Sequence, residues 1–178
     1  MDYILKNGFI LSIDEALPED AVEIMDYVKI VGGETNNLLL DENGLSFTVE
    51  EEKKFIANIN KSVHSKMFVG RIDNEIVSLV SLSGNNRTRI MHNAELGITV
   101  LKKFWHKGIA TLMIEHTIHY AKLTNLIKNI DLEVRADNER AVLLYEKLGF
   151  KKVGLLEKKF YLNHIYYDQW IMVLSLFE

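Results

Sequence analysis

Three features of this 178-residue chain predict a single α+β domain, built on a central mixed, mostly antiparallel sheet of about seven strands with about four helices packed against it. The first part carries two amphipathic helical patterns, the middle switches to two-residue alternation, and the remainder runs helix, strand, helix and two further strands. Neighbouring alternating strands pair as a meander, whereas a strand–helix–strand crossover imposes a parallel pair, so the sheet is expected to be mixed.

Residues 8–14, Gly-Phe-Ile-Leu-Ser-Ile-Asp, read as the first strand. Pro18 suits the opening of a helix, where its missing N–H would have had no partner, and Glu19 and Asp20 sit at the positive helix end. Ala21, Ile24, Val28 and Val31 then share one face, and Gly32-Gly33 is expected to end that helix. Glu34 to Ser46, polar around Leu38-Leu39-Leu40, reads as a loop. Thr48-x-x-Glu51 is a capping box ahead of Phe55, Ile56 and Ile59, a second amphipathic helix. Alternation predicts strands over Lys66–Ile72, Glu75–Ser83 and Thr88–Val100, separated by turns at Asp73-Asn74 and Gly84-Asn85-Asn86. There follow a helix from about Lys107 to Leu123, a strand around Ile130–Val134, and a helix from about Asn138 to Leu148 closed by Gly149. Phe150–Phe160 and Ile165–Phe177 form a last hairpin across Asn163-His164.

Composition narrows the function. With 48% hydrophobic and 26% charged residues and no linker or repeat, residues 1–178 read as one domain able to bury about 70% of its unfolded surface. The absence of cysteine excludes disulfides, thiolate zinc, iron–sulfur sites and any acyl group carried on an enzyme thiol. A net charge of −4 and a pI near 5.9 give no basic footprint, so nucleic acid is not an expected partner. The N-terminus lacks a basic leader, its apolar stretch is broken by Asn7, Gly8 and Asp14, and no apolar run reaches the ~18–20 residues of a membrane span. No membrane partner is expected, and the expected location is the cytoplasm.

The most informative segment runs from Leu96 to Met113, a strand, a short loop containing Lys102, Lys103, Lys107 and Gly108, and a helix start. Backbone N–H groups of a first helical turn lack intrahelical acceptors and sit at the positive end of the helix dipole, which makes a phosphate site without side chains. The three lysines either add positive potential there or form a solvated edge. No G-x-x-x-x-G-K-[ST] pattern and no Rossmann glycines accompany it, which disfavours a nucleotide-phosphate binder. Downstream stands Asn138-Glu-Arg-Ala-Val-Leu-Leu-Tyr-Glu-Lys-Leu-Gly-Phe150.

With these segments the chain resembles the GNAT superfamily of acetyl-CoA-dependent N-acyltransferases, from about residue 8 to 176. Trp-His-Lys-Gly-Ile-Ala at 105–110 matches that family's R/Q-x-x-G-x-G/A segment at Gly108 and Ala110, with Trp105 where Arg or Gln is more usual. Asn138, Ala141, Leu144, Tyr145, Gly149 and Phe150 match its N-x-x-A-x-x-L-Y-x-x-x-G-F segment in register.

The resemblance implies acetyl-CoA as co-substrate and an amine acceptor. It implies that the strand ending Leu96–Val100 splays from its parallel neighbour, with backbone groups at Ile98 and Val100 pairing with the pantetheine arm and the N–H of Ile98 or Thr99 holding the oxyanion. Backbone N–H groups from His106, Lys107, Gly108, Ile109 and Ala110 would hold the pyrophosphate, Asn138 would bond the pantetheine amides, and Ala141 would let the cofactor approach. Arg140 would reach the 3′-phosphate or cover the helix surface. Tyr145 is implied as the acid that protonates the departing thiolate; otherwise it is a half-buried aromatic. Glu95, on one strand face with Gly97 and Thr99, is the implied base or else a solvated strand carboxylate, and His92 is the weaker candidate. His116 and His119 stand i, i+3 on a helix, but with no cysteine and no clear third ligand no metal is expected.

The loop at about Glu34–Ser46 and the final hairpin would surround the acceptor. Glu34, Asp41 and Glu42 would suit a cationic amine such as a polyamine, or only keep the loop solvated. Tyr166, Tyr167, Asp168 and Trp170 would line the acceptor site or pack a homodimer interface. The expected activity is direct acetyl transfer in a ternary complex to a primary amine, whether a small amine or polyamine or a protein N-terminal or lysine amine. The alternative is a catalytically silent acyl-CoA-binding or sensing module on the same fold.

Overall fold

The computed structural model describes residues 1–6 and 8–177. Its strands are β1 (Asp2–Ile4), β2 (Ile10–Glu15), β3 (Lys66–Ile72), β4 (Glu75–Gly84), β5 (Asn93–Val100), β6 (Asn129–Arg135), β7 (Lys151–Leu162) and β8 (Ile165–Ser175), joined in one sheet of order β1-β2-β3-β4-β5-β6-β8-β7. The helices are α1 (Ala21–Glu34), α2 (Val49–Lys61), α3 (Ile109–Thr124) and α4 (Glu139–Lys147). The strand count is eight rather than about seven because β1, whose Asp2 pairs with Ser12, is too short to display an alternation of its own. No helix among the described residues is long and apolar enough to cross a membrane.

Local chemistry explains the element ends. Thr48 and Glu51 close the expected capping box: the Thr48 hydroxyl accepts the Glu51 N–H at 3.3 Å and a Glu51 carboxylate oxygen accepts the Thr48 N–H at 2.7 Å. Asp73 and Asn74 have φ of 50° and 66°, and Asn163 and His164 have φ of 49° and 64°; two consecutive left-handed residues are what a two-residue hairpin loop with native strand twist needs. Two expected boundaries move. The β5 strand starts at Asn93 rather than Thr88, because residues 87–92 fold into turns in which the Ile90 N–H bonds Arg87 O and the Asn93 N–H bonds Ile90 O. The α1 helix does not stop at Gly32-Gly33 but continues to Glu34. A Cβ at position 32 would lie 2.1 Å from the carbonyl oxygen of Asp41, so Gly32 serves a close backbone approach and not a helix terminus.

Alternation along the strands sorts the core onto the two faces of the sheet. Phe68, Val80, Leu82, Leu96, Ile130 and Leu132 pack with Ile109, Met113 and Ile114 of α3 and Val142 of α4. Met67, Val69 and Ile76 pack on the opposite face with Ile24, Val28 and Val31 of α1 and Ile56 of α2. Every strand pair is antiparallel except β5 and β6, and that pair holds only at Asn93↔Asn129, Ala94↔Ile130 and Glu95↔Asp131. Beyond Glu95 the two strands part while each keeps its other neighbour, β5 on β4 through Val100 and β6 on β8 through Arg135.

Candidate active site

The parting of β5 from β6 leaves a row of backbone groups facing a gap. The Leu101 N–H bonds Val77 O at 3.0 Å, and the β4–β5 register makes Leu79↔Thr99 and Ser81↔Gly97 pairs of the same kind, so Leu101, Thr99 and Gly97 turn their polar groups to β4. Leu96, Ile98 and Val100 therefore point theirs into the gap, as the splayed-strand expectation requires. Two details differ from it. The Thr99 N–H faces β4, so of the two residues named for the oxyanion only Ile98 turns its N–H to the gap, and the Val100 carbonyl already accepts the Trp105 indole N–H at 2.7 Å. Trp105 thus folds back onto the strand.

A cavity of about 620 Å³ occupies the gap and reaches both faces of the sheet. From β5 it is lined by Glu95, Ile98, Thr99 and Val100; from the α3 entry by His106, Gly108, Ile109 and Ala110; and from the α4 region by Asn138, Arg140, Ala141 and Tyr145. These residues lie up to 50 positions apart in sequence, from Glu95 to Tyr145. Of the residues expected to bind the cofactor, Lys107 stands outside the lining: its ammonium lies 4.9 Å from the Phe104 ring centre. Lys103 is tied to Glu75 at 2.6 Å, and Lys102 stands 6.0 Å from the Trp105 ring centre. His92 and the pair His116 and His119 lie away from the cavity; His116 packs edge-on against Phe68.

At the α3 entry, Gly108 is the N-cap in the left-handed region with φ of 83°, and open space surrounds the place where its side chain would be. The first-turn N–H groups of α3 thereby face the cavity mouth without intrahelical acceptors. An Arg140 guanidinium nitrogen lies 2.6 Å from His106 Nε2, and the guanidinium carbon stands 5.9 Å from the Trp105 ring centre, so α4 and the α3 entry meet at this mouth. The Asn138 side-chain oxygen accepts the Ala141 N–H at 3.3 Å and caps α4, leaving its amide N–H groups to serve a ligand.

Titratable groups flank the gap on opposite faces. Tyr145 rests edge-on against Phe150 at 5.8 Å, its hydroxyl bonds no described residue, and burial pushes its phenol up to about 12. Glu95 lies on the α1 and α2 face, where burial, and then the charges of Asp131 and Glu133, hold its carboxyl above the usual carboxylate range. On that face Thr99 Oγ and Tyr27 Oη hydrogen bond at 2.9 Å.

The acceptor-side loop differs from expectation in charge. Glu34 is already engaged, accepting the Lys102 N–H at 2.6 Å, and Asp41 and Glu42 stay outside the cavity. The loop lines it instead with Thr35, Asn37, Leu38, Leu39 and Leu40, and the acidic groups come from strands, Glu95 and Glu133. From the final hairpin only Gln169 reaches the cavity; Asp168 accepts the Lys158 N–H at 2.8 Å. Sequence reasoning missed Arg135, a buried strand residue that clamps this region. Its guanidinium donates to Asp137 at 2.6 and 3.0 Å and to the Asn36 carbonyl at 2.8 Å, and stacks 3.7 Å from the Tyr167 ring centre.

A parallel strand pair that opens to expose backbone amides, beside a helix start with free N–H groups, is the arrangement that the resemblance to acetyl-CoA-dependent N-acyltransferases implies. The chain belongs to the acetyltransferase (GNAT) family, whose model matches residues 34–150. It is similar to the spermidine N(1)-acetyltransferase of Vibrio cholerae, at 28% identity over 75% of this chain and 80% of that one. It is also similar to the N-alpha-acetyltransferase of Sulfurisphaera tokodaii, at 30% identity over 75% and 77% of the two chains. Among solved structures, a GNAT-family acetyltransferase from Streptococcus pneumoniae superimposes with a TM-score of 0.90 at 29% identity, covering 93% of this chain and 98% of that one. The protein is accordingly an acyltransferase that uses acetyl-CoA as co-substrate and acetylates an amine, and no finding favours the silent binding module.

Proposed function

We propose that the acetyl group passes directly from the sulfur of acetyl-CoA to a primary amine within a ternary complex. The observation that carries this reading is the single cavity through the sheet, with cofactor-binding groups on one face and Glu95 on the other. The chain has no cysteine to hold the acetyl group as a thioester. Pyrophosphate sits on the first-turn N–H groups of α3, Arg140 serves the phosphates at the mouth, and the pantetheine arm lies along Ile98 and Val100 with Asn138 and Ala141 opposite.

Glu95 takes a proton from the acceptor ammonium, and the freed lone pair attacks the thioester carbon. A carbon–nitrogen bond forms, and the carbonyl oxygen takes the negative charge, facing the Ile98 N–H. When the carbonyl re-forms, the carbon–sulfur bond breaks and its electron pair leaves on the CoA sulfur. Tyr145 gives that sulfur its proton and recovers one from the product nitrogen through solvent. Similar chains named for spermidine and for N-alpha acetylation both act on primary amines, which supports the acceptor class. The reading includes a cytoplasmic enzyme, where acetyl-CoA is drawn from the common pool. It also includes a homodimer formed through the exposed hairpin tips at Tyr161, Ile165 and Tyr166.

The test is Tyr145→Phe. Turnover should fall by about 10²-fold or more while acetyl-CoA affinity stays within a factor of a few. Unchanged turnover removes the acid role, and a burst of covalently acetylated protein during turnover removes direct transfer.

A further inference from the structure

We infer that the acceptor is a monoamine carried on an apolar, uncharged body, in preference to a polyamine or a free amino acid; this rests on the direct-transfer reading above. The acceptor half of the cavity lies on the α1 and α2 face. Its wall is formed by Val28 and Val31 of α1, Leu79 of β4, and Leu38, Leu39 and Leu40 of the following loop. Leu39 is 88% exposed, a large apolar side chain standing in water at the rim.

That exposure is built into the loop by anchors on both sides of the leucines. Before them, Glu34 accepts the Lys102 N–H and the Asn36 carbonyl accepts from Arg135. After them, the Asp41 backbone lies against Gly32 so closely that no side chain fits between. An apolar surface presented on a fixed loop beside a reaction cavity is stabilised when an apolar ligand covers it.

Charge completes the inference. The carboxylates that reach the cavity are Glu95 and Glu133, both on strands beside the gap, and they match one ammonium at the place where acetyl transfer occurs. Farther out, the loop wall presents Leu38, Leu39 and Leu40 beside Thr35 and Asn37 and no carboxylate, so the second ammonium of a polyamine gains no charge partner there and covers apolar surface poorly. A free amino acid fares no better. The basic side chains in the lining are Arg140 and His106, paired with each other on the cofactor side, so a carboxylate next to the amine would face Glu95 and Glu133. An alkyl or arylalkyl amine and a peptide N-terminus with an apolar first residue share the favoured chemistry.

The experiment measures CoA thiol release from acetyl-CoA with hexylamine, 2-phenylethylamine, a leucine-initiated peptide amide, spermidine and free leucine. At least one of the first three should exceed both of the last two in kcat/KM by about tenfold or more, the scale that a well-matched apolar contact supplies. The leading substrate then tells a small amine from a peptide. Leu39→Glu, a change at an exposed position, should raise the KM for that amine about tenfold and leave acetyl-CoA affinity unchanged. Spermidine or free leucine equalling the apolar amines overturns the inference, as does an unaltered amine KM in Leu39→Glu, while acetyl transfer itself stands. Acetyl-CoA binding with no thiol release for any amine overturns the transferase reading and takes this inference with it.

Discussion

Glu95 sits where three carboxylates share one sheet face, and its proton affinity is raised by burial and by the charges of Asp131 and Glu133. A base must be ionised to act, so the rate should rise with pH as Glu95 loses its proton, through a limb displaced above the ordinary carboxylate range. Glu95→Gln should remove that limb and lower the rate by about 10²-fold or more, as a pH–rate profile with one identified amine would reveal; an unaltered limb and rate would discard Glu95 as the base. Across the gap, Tyr145 is held neutral at about 12. Burial makes this phenol a weaker acid than a free thiol, so complete proton transfer to the thiolate is uphill on its own. In the proposed acid role Tyr145 would therefore first hydrogen bond the developing charge, with the proton following as the product nitrogen gives up its own. That Tyr145 and Asn138 line the cavity was legible from motif spacing, and that Glu95 does so from its place at the head of the Leu96–Val100 strand segment. Arg135 was not, since its partner Asn36 is 99 residues away and a lone strand arginine carries no local signal.

At the scale of elements, α1 and the loop after it form one unit, joined where Asp41 passes Gly32. Two adjacent glycines there have opposite roles. A Cβ at Gly32 would meet the Asp41 carbonyl oxygen at 2.1 Å, whereas one at Gly33 would meet Glu42 Cβ at 3.5 Å, an ordinary contact. Gly32→Ala should displace the loop, raise the acceptor KM by about tenfold and lower stability by about 1–3 kcal/mol. Gly33→Ala, in the last turn of α1, should leave KM alone and gain up to about 1 kcal/mol. Steady-state kinetics and thermal melts of the two variants measure both effects, and equal behaviour would refute the close-approach reading of Gly32. Glycine in sequence normally signals a helix end, and the reason it fails to do so here is a backbone contact from nine residues downstream.

The whole molecule balances two cores across one sheet, and its stability carries a titratable cost. Glu52 on α2 is 1% exposed, one of its carboxylate oxygens has no partner, and burial holds its pKa above the ordinary value. A carboxyl whose proton is bound more tightly in the folded state loses stabilisation as pH rises from the unfolded value through the folded one. Glu52→Met, similar in length and free of unpaired polar atoms, should therefore raise the melting temperature at pH 7 by about 2–6 °C, with the gain shrinking towards pH 4. A constant gain across that range, or a loss at pH 7, would contradict the assignment.

The sequence by itself determined the four helices and seven of the eight described strands, the hairpin turns at Asp73-Asn74 and Asn163-His164, the two family segments, and the exclusion of a cysteine acyl carrier. Those features depend on periodicity, capping and turn chemistry within about a dozen residues. Only the tertiary structure decided that β5 and β6 part after Glu95, that Ile98 and not Thr99 turns its N–H into the gap, and that Trp105 engages the Val100 carbonyl. It also decided that the acceptor loop presents leucines while its acidic residues are occupied or point elsewhere. Strand register and long-range contacts settle these points, and neither is encoded in the local spacing of residue types.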